Sequence, residues 1–128
     1  MPLAPNKLIV VDDEPDLLYV TTSMLQRNGY QVYGFTDPVK ALEHVIEYEE
    51  CSVVISDVRM PVMNGFELVR GMKEQRPQIK VVLMSSFDLH HREWQQRMPS
   101  TGVDQVLKKP FSMSQLIEAV EKCISLVS

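Results

Sequence analysis

Residues 8–14 have the sequence Leu-Ile-Val-Val-Asp-Asp-Glu, a short apolar run that ends in three acids. Consecutive apolar and β-branched residues of this length predict a strand that is buried on both faces of a sheet. Residues 53–55 (Val-Val-Ile) and 81–84 (Val-Val-Leu-Met) have the same character. Residues 30–35 and 103–107 are weaker strand candidates, because polar residues are mixed with the apolar ones. The sequence therefore predicts five strands.

Helical patterns lie between these strands. Asp37 and Pro38 supply an N-cap and a first-turn proline for the second helix, and Ser112 with Gln115 forms a capping box before the last one. Residues 88–97 are almost wholly polar, so a helix there has only a thin apolar face and is predicted to be mobile or completed by a partner. The apolar residues at helical spacing in the other four segments are Leu17, Val20, Met24 and Leu25; Ala41, Leu42, Val45 and Ile46; Phe66, Val69 and Met72; and Met113, Leu116, Ile117, Val120, Cys123, Ile124 and Val127.

The alternation of strands and helices predicts an α/β fold. Right-handed crossovers would join five parallel strands, with helices on both faces of one doubly wound sheet. In such sheets the functional residues lie at the carboxyl ends of the strands. The polar residues that directly follow the predicted strands are therefore the candidate functional residues.

Composition limits the classes of protein that this chain can belong to. Its 128 residues fit one domain, and 45% of them are hydrophobic, which argues against intrinsic disorder. A net charge of −4 argues against direct nucleic-acid binding. There is no apolar run long enough to span a membrane and no signal-peptide pattern, so a cytoplasmic location without membrane contact is expected. Two cysteines fit a reducing compartment.

The predicted strands end in residues of complementary charge. Asp12 and Asp13 follow the first strand, Asp57 the third, Ser85 the fourth, and Lys109 the fifth. A parallel sheet brings these ends together, although almost a hundred residues separate the first from the last. Caps or solvated loops are the alternative roles for each acid and for the lysine taken singly.

Converging carboxylates need a positive charge nearby, because like charges at close range raise one another's pKa. Oxygen ligands without histidine or cysteine favour Mg²⁺, or another hard divalent cation such as Mn²⁺. Pro110 would fix the backbone beside Lys109, through a cis bond if one forms. The adjacent Lys108 points to the other side of the strand and is expected to be solvated.

Four motifs in this order resemble the receiver domain of two-component response regulators. They are Asp12-Asp13-Glu14-Pro15; residues 57–65, Asp-Val-Arg-Met-Pro-Val-Met-Asn-Gly; Ser85; and Lys109-Pro110-Phe111. The resemblance covers about residues 6–126 and implies a flavodoxin-like (βα)5 sheet with strand order 2-1-3-4-5. Residues 1–128 are accordingly expected to form a single receiver domain.

The resemblance implies a phosphoacceptor and not a classical enzyme. Asp57 would accept a phosphoryl group from a sensor histidine kinase or a phosphotransfer protein. Asp13, Asp57 and the backbone carbonyl of Arg59 would bind Mg²⁺, and Asp12 would do so directly or through water. Lys109 and the Ser85 hydroxyl would contact phosphoryl oxygens.

The resemblance also implies an output surface. A downstream partner would bind the face made by the helix after the fourth strand, the fifth strand and the last helix, and a phosphorylation-dependent homodimer is compatible with that surface. Val106 stands at the switch position, where many receivers have an aromatic ring that changes rotamer. Ser86 replaces the usual alanine or glycine. Arg59 and Phe87 are expected to modulate how fast water reaches the acyl phosphate, and the bulky Phe87 predicts slow self-dephosphorylation.

Other functions fit the motifs less well. A haloacid-dehalogenase-type phosphatase needs a second aspartate two residues after the nucleophile, and Arg59 occupies that position. A Gly-x-Gly-x-x-Gly dinucleotide motif, a P-loop and a nucleophile elbow are absent. A receiver-fold module that switches through partner contact alone, without phosphorylation, remains the main alternative.

Overall fold

The computed structural model of the chain describes residues 6–48, 51–60, 62–85 and 102–125. The strands are β1 (Lys7–Val11), β2 (Gln31–Phe35), β3 (Cys51–Asp57), β4 (Lys80–Ser85) and β5 (Gln105–Lys108). The helices are α1 (Pro15–Arg27), α2 (Pro38–Glu47), α3 (Gly65–Gln75) and α4 (Met113–Ser125). The polar segment 88–97, where a further helix was predicted between the fourth and fifth strands, lies outside the described residues.

The five strands form one parallel sheet in the order β2-β1-β3-β4-β5. This confirms the α/β, flavodoxin-like architecture predicted from the sequence. In the described part of the chain, no helix is both long enough and apolar enough to span a bilayer.

Two apolar layers cover the sheet, because successive side chains of each strand point to opposite faces. One layer joins alternate strand residues such as Ile9 and Val54 to α2 and α3. The other joins the intervening residues, such as Val10 and Ile55, to α1 and α4. Both faces of the central strands are therefore buried, as the continuous apolar runs predicted.

The predicted helix ends are present. Pro38 begins α2, and the Asp37 side chain accepts a hydrogen bond from the Val39 N–H at 2.9 Å. The Ser112 hydroxyl accepts from the Gln115 N–H at 3.1 Å, while the Gln115 side chain accepts from the Ser112 N–H at 2.8 Å. These bonds satisfy backbone donors that a helix start otherwise leaves unpaired.

Helix α1 forms where it was predicted, but only the Met24 and Leu25 part of its predicted apolar stripe packs into the core. Leu25 is fully buried, whereas Leu17 and Val20 are 38% and 47% exposed. Leu18 packs against β2 instead, at Gly34, where an added Cβ would lie 3.3 Å from Leu18 Cδ1. The close approach at this glycine turns the helix so that its predicted apolar stripe is partly left at the surface.

Candidate functional site

The carboxyl ends of β1, β3, β4 and β5 meet at one edge of the sheet. Asp12 and Asp57 are buried there, and Ser85 is 5% exposed. The Lys109 N–H donates to the Ser85 carbonyl oxygen at 2.7 Å, which joins the end of β4 to the residue after β5. The structure thus confirms that these strand ends converge.

The Lys109 ammonium lies between two carboxylates. Its Nζ donates to Asp12 Oδ2 at 3.0 Å and to Asp57 Oδ2 at 3.3 Å. The side chain of Asp12 is fully buried, and those of Asp57 and Lys109 are 11% and 13% exposed. The bond between Lys109 and Pro110 is cis.

Backbone N–H groups hold the other oxygens of these two carboxylates. Asp12 Oδ1 accepts from the Glu14 N–H, and Asp57 Oδ1 accepts from the Val58 N–H, each at 3.0 Å. Each carboxylate therefore has one oxygen on a backbone donor and the other on the ammonium. This arrangement fixes the direction in which both acids point.

Burial and charge act in opposite senses on the two central groups. Burial raises the pKa of the Asp57 carboxyl; Lys109 offsets part of that rise, while Asp12 and Asp13 add to it. Burial by itself lowers the pKa of the Lys109 ammonium, but the hydrogen bonds and charges of Asp12 and Asp57 outweigh burial and raise it. Lys109 therefore stays charged at neutral pH, and the acids share one cation.

Asp12, Asp13 and Asp57 fit a hard divalent cation. Each offers a carboxylate oxygen, and the three oxygens lie within 4.8 Å of one another. A single ammonium faces this cluster among the described contacts, so a second cation would relieve the remaining repulsion. The all-oxygen donor set matches the preference of Mg²⁺ and Mn²⁺.

The family of the chain follows from its sequence. A model of the response regulator receiver domain matches residues 8–121.

The chain belongs to the response regulator receiver domain family.

Three similar proteins illustrate this membership. Sporulation initiation phosphotransferase F of Bacillus subtilis is 25% identical over 123 residues, which are 96% of this chain and 97% of that protein. Sensor kinase CckA of Brucella abortus is 31% identical over 118 residues, covering 91% of this chain but 12% of the kinase. The structure of chemotaxis protein CheY4 of Vibrio cholerae has a TM-score of 0.86 and 29% identity, covering 94% of this chain and 99% of that one. Receiver domains therefore match this chain both as nearly whole proteins and as parts of longer ones.

The structure describes only some of the remaining predicted residues of the receiver site. Arg59 is exposed in the segment after β3, and Lys108 is exposed at the end of β5. Val106 is 42% exposed on β5. Ser86 and Phe87, predicted to modulate the acyl phosphate, lie outside the described residues, so their roles stay predictions.

Sequence reasoning missed how the segment after Asp57 is built. Asn64 caps α3 through the Glu67 N–H at 2.9 Å, and Glu67 accepts in return from the Asn64 N–H at 3.1 Å. The spacing Asn-x-x-Glu was a usable signal for this capping box. Gly65 lies so close to β3 that an added Cβ would overlap the Asp57 carbonyl oxygen, which explains the glycine.

Val62, in the same segment, has a φ of 72° and is 91% exposed. A β-branched side chain rarely adopts this left-handed backbone conformation, because its Cβ substituents crowd the backbone. The strain lies five residues beyond Asp57. Backbone strain of this kind clusters at functional sites, where the surrounding structure holds it in place.

A mainly apolar groove of about 380 Å³ borders the acid cluster through Lys109. Helix α1 supplies one wall and the segment after β5 supplies the other. The partly exposed Leu17 and Val20 of α1 thus face the groove that leads to the site. The lining residues are Leu17, Val20, Thr21, Met24, Lys109, Pro110 and Phe111.

Proposed function

We propose that this receiver domain accepts a phosphoryl group on Asp57 and passes the signal on by changing conformation. The observation that carries the proposal is the position of Lys109, whose ammonium contacts both Asp12 and Asp57 in a cluster of three acids. A carboxylate that attacks a phosphoryl group approaches a polyanion, so fixed positive charge beside it lowers the barrier.

Asp57 is the acid in this cluster best suited to be the nucleophile. The Val58 N–H and Lys109 each hold one of its oxygens, and its side chain stays 11% exposed, whereas that of Asp12 is fully buried. A phosphoryl donor can therefore reach Asp57 more easily than Asp12. In the reaction, a carboxylate lone pair forms the O–P bond and the P–N bond of the phosphohistidine breaks. The bonding electrons of the P–N bond return to the imidazole of the donor. Later attack by water on phosphorus regenerates the carboxylate and releases phosphate.

Mg²⁺ would be held by Asp13, Asp57 and the Arg59 carbonyl oxygen, with Asp12 binding directly or through water. When bound, the ion neutralises charge on the carboxylates and on the transferred group. Lys109 holds Asp57 in place and is available to a phosphoryl oxygen. The Ser85 hydroxyl, at the end of the neighbouring strand, would bond another.

The phosphoryl donor is proposed to be a sensor histidine kinase or a histidine phosphotransfer protein. Names among the relatives include both a sporulation phosphotransferase and a sensor kinase, which supports a donor of this kind. The donor brings its histidine to the edge of the sheet where Asp57 lies. Output would pass through β5 and α4 together with residues 88–97, where Val106 lies partly exposed on β5.

A direct experiment tests the phosphoacceptor role. Intact mass is measured after incubation with acetyl phosphate and Mg²⁺. The wild type should gain the mass of one phosphoryl group, and Asp57→Ala should gain none. Asp16→Ala is the matched control, because it removes an exposed aspartate of α1.

Beryllofluoride provides a second readout without turnover. It should shift the amide spectrum of the wild type around Asp57, Ser85 and Lys109, and should leave Asp57→Ala unchanged. A wild type that neither gains mass nor responds to beryllofluoride would favour the module that switches through partner contact alone.

A further inference from the structure

Ser56 is a polar residue in an apolar position. It lies in β3 opposite Val11 of β1 and Leu83 of β4, and all three residues are fully buried. Burying a hydroxyl costs about 1–3 kcal/mol in proteins when no hydrogen bond compensates. An apolar side chain of similar size would avoid that cost, so the hydrogen bond that Ser56 makes identifies what the hydroxyl does.

The Ser56 hydroxyl donates to the carbonyl oxygen of Asp57 at 3.0 Å. Successive side chains of a strand point to opposite faces of the sheet. The hydroxyl therefore approaches from the α2–α3 side, whereas the Asp57 carboxylate reaches Lys109 at the sheet edge. Ser56 cannot touch a phosphoryl group at Asp57 and can act on it only through the backbone.

The N–H and the carbonyl of Val58, next to this carbonyl, are also hydrogen-bonded. The Val58 N–H donates to the Met84 carbonyl oxygen and to Asp57 Oδ1, each at 3.0 Å. The Val58 carbonyl oxygen accepts from the Gly65 N–H at 2.8 Å. Gly65 also packs closely against the Asp57 carbonyl, because an added Cβ would overlap that oxygen. The hydroxyl completes a set of bonds that fixes both peptide groups.

We infer that Ser56 is a positioning residue for the phosphoacceptor site. Its hydroxyl fixes the peptide plane that follows Asp57, and that plane sets both the direction of the Asp57 carboxylate and the course of the chain to the Arg59 carbonyl. This inference rests on the proposed function, since it assigns Ser56 a part in holding the groups that bind Mg²⁺ and receive phosphate. Positioning of this kind is commonly worth 10- to 100-fold in metal affinity or activity.

Three variants test the inference. Ser56→Ala removes the donor, Ser56→Thr keeps it, and Ser52→Ala is the matched control on the same strand, where the Ser52 hydroxyl contacts Asn6 Oδ1 at 3.4 Å instead. Mg²⁺ affinity is measured by titration of the amide spectrum without any phosphodonor. The rate of phosphorylation by acetyl phosphate is measured separately, at saturating Mg²⁺.

Ser56→Ala should weaken Mg²⁺ binding and slow phosphorylation, each by about tenfold. The Val58 and Gly65 amides should also exchange faster with solvent. Ser56→Thr should restore most of both values, and Ser52→Ala should match the wild type. A folding defect would instead lower the melting temperature and accelerate exchange in all strands.

Several results would overturn the inference. One is a Ser56→Ala variant that binds Mg²⁺ and is phosphorylated like the wild type. Another is a loss of Mg²⁺ affinity and phosphorylation rate that Ser56→Thr fails to restore, which would indicate that Ser56 acts through its packing and not through its hydroxyl. If the wild type binds Mg²⁺ but is not phosphorylated, the proposed function fails and the Mg²⁺ titration alone decides the role of Ser56. If the wild type binds no Mg²⁺, the inference fails as well.

Discussion

The two ends of the sheet hold titratable side chains in different surroundings. Charged groups surround them at the carboxyl edge, and aromatic rings surround them at the amino edge. At the carboxyl edge, Asp12 and Asp57 share the Lys109 ammonium. At the amino edge, a pocket of about 290 Å³ is lined by Lys7, Tyr33, His44, Tyr48 and Cys51. The His44 ring lies 4.8 Å from Tyr33 and 4.6 Å from Tyr48 of this pocket, measured between ring centroids. It also lies 5.3 Å from Phe35, the last residue of β2.

Burial affects the two ends differently. At the amino edge burial lowers the pKa of His44, with Glu47 partly opposing, and raises the pKa of the Cys51 thiol to about 12. Both groups are therefore neutral at physiological pH. At the carboxyl edge Lys109 keeps its charge, and burial and neighbouring acids act against ionised Asp57. At the carboxyl edge, burial and the neighbouring acids therefore oppose the ionised form of Asp57, whereas ring contacts stabilise the amino edge.

Removing the shared cation should have the largest effect. Lys109→Ala leaves two buried carboxylates without their partner, and breaking a buried pair costs about 3–5 kcal/mol. We expect a loss of about 3 kcal/mol in the free energy of unfolding at neutral pH without Mg²⁺, measured by urea denaturation. Added Mg²⁺ should recover part of the loss.

The neighbouring lysine is the control for this prediction. Lys108→Ala removes an exposed lysine and should change stability by less than about 0.5 kcal/mol. Because the folded-state pKa of Lys109 is raised, its contribution should be complete below pH 10.5 and disappear as pH rises through the raised value. Equal losses in the two variants would contradict the central role of Lys109.

Asp57→Asn should stabilise the protein at neutral pH when Mg²⁺ is absent. The pKa of Asp57 is raised above 3.8 in the folded protein, so the folded state holds this proton more tightly than the unfolded state does. Wild-type stability should therefore fall as pH rises from 3.8 through the raised pKa, and the variant should lack that fall. Urea unfolding from acid to neutral pH measures the difference, with Asp16→Asn as an exposed control. A variant no more stable than the wild type at neutral pH would contradict the cost that burial and the neighbouring acids place on ionised Asp57.

His44→Ala should destabilise the opposite end by about 1 kcal/mol, because ring–ring contacts are worth roughly that much beyond burial. His44→Phe keeps a ring and should restore most of the melting temperature. The lowered pKa of His44 means that its contribution is present above pH 6.5 and is lost as pH falls through the lowered value. His44→Phe should lack this loss, and phosphorylation should be unchanged in both variants.

Val62→Asn should give the smallest effect, a gain of about 1 kcal/mol or less. Asparagine adopts positive φ more readily than a β-branched residue, and the 91% exposed Val62 side chain buries little apolar surface that would be lost. Val62→Ile keeps the strain and should leave the melting temperature unchanged. If both variants have the wild-type melting temperature, Val62 stores no strain.

Much of this receiver was predictable from local pattern. The apolar runs specified the strands, and the polar residues directly after them specified which side chains would meet. Helix α1 was less predictable, because Leu17 and Leu18 both begin plausible apolar stripes. Which stripe is buried depends on Gly34 in β2, and no periodicity within α1 reveals it.

The motifs of the sequence identified the receiver family. The sequence by itself also determined the order of the elements, the parallel sheet and the convergence of Asp12, Asp57 and Lys109 at one edge of it. These follow from short-range pattern and from the rule that parallel strands end at one edge. Only the tertiary structure decided that Lys109 contacts both acids and that the Ser56 hydroxyl holds the Asp57 carbonyl. The physical reason is that hydrogen bonds depend on distances of a few tenths of an ångström and on groups from different strands, which spacing along one chain does not encode.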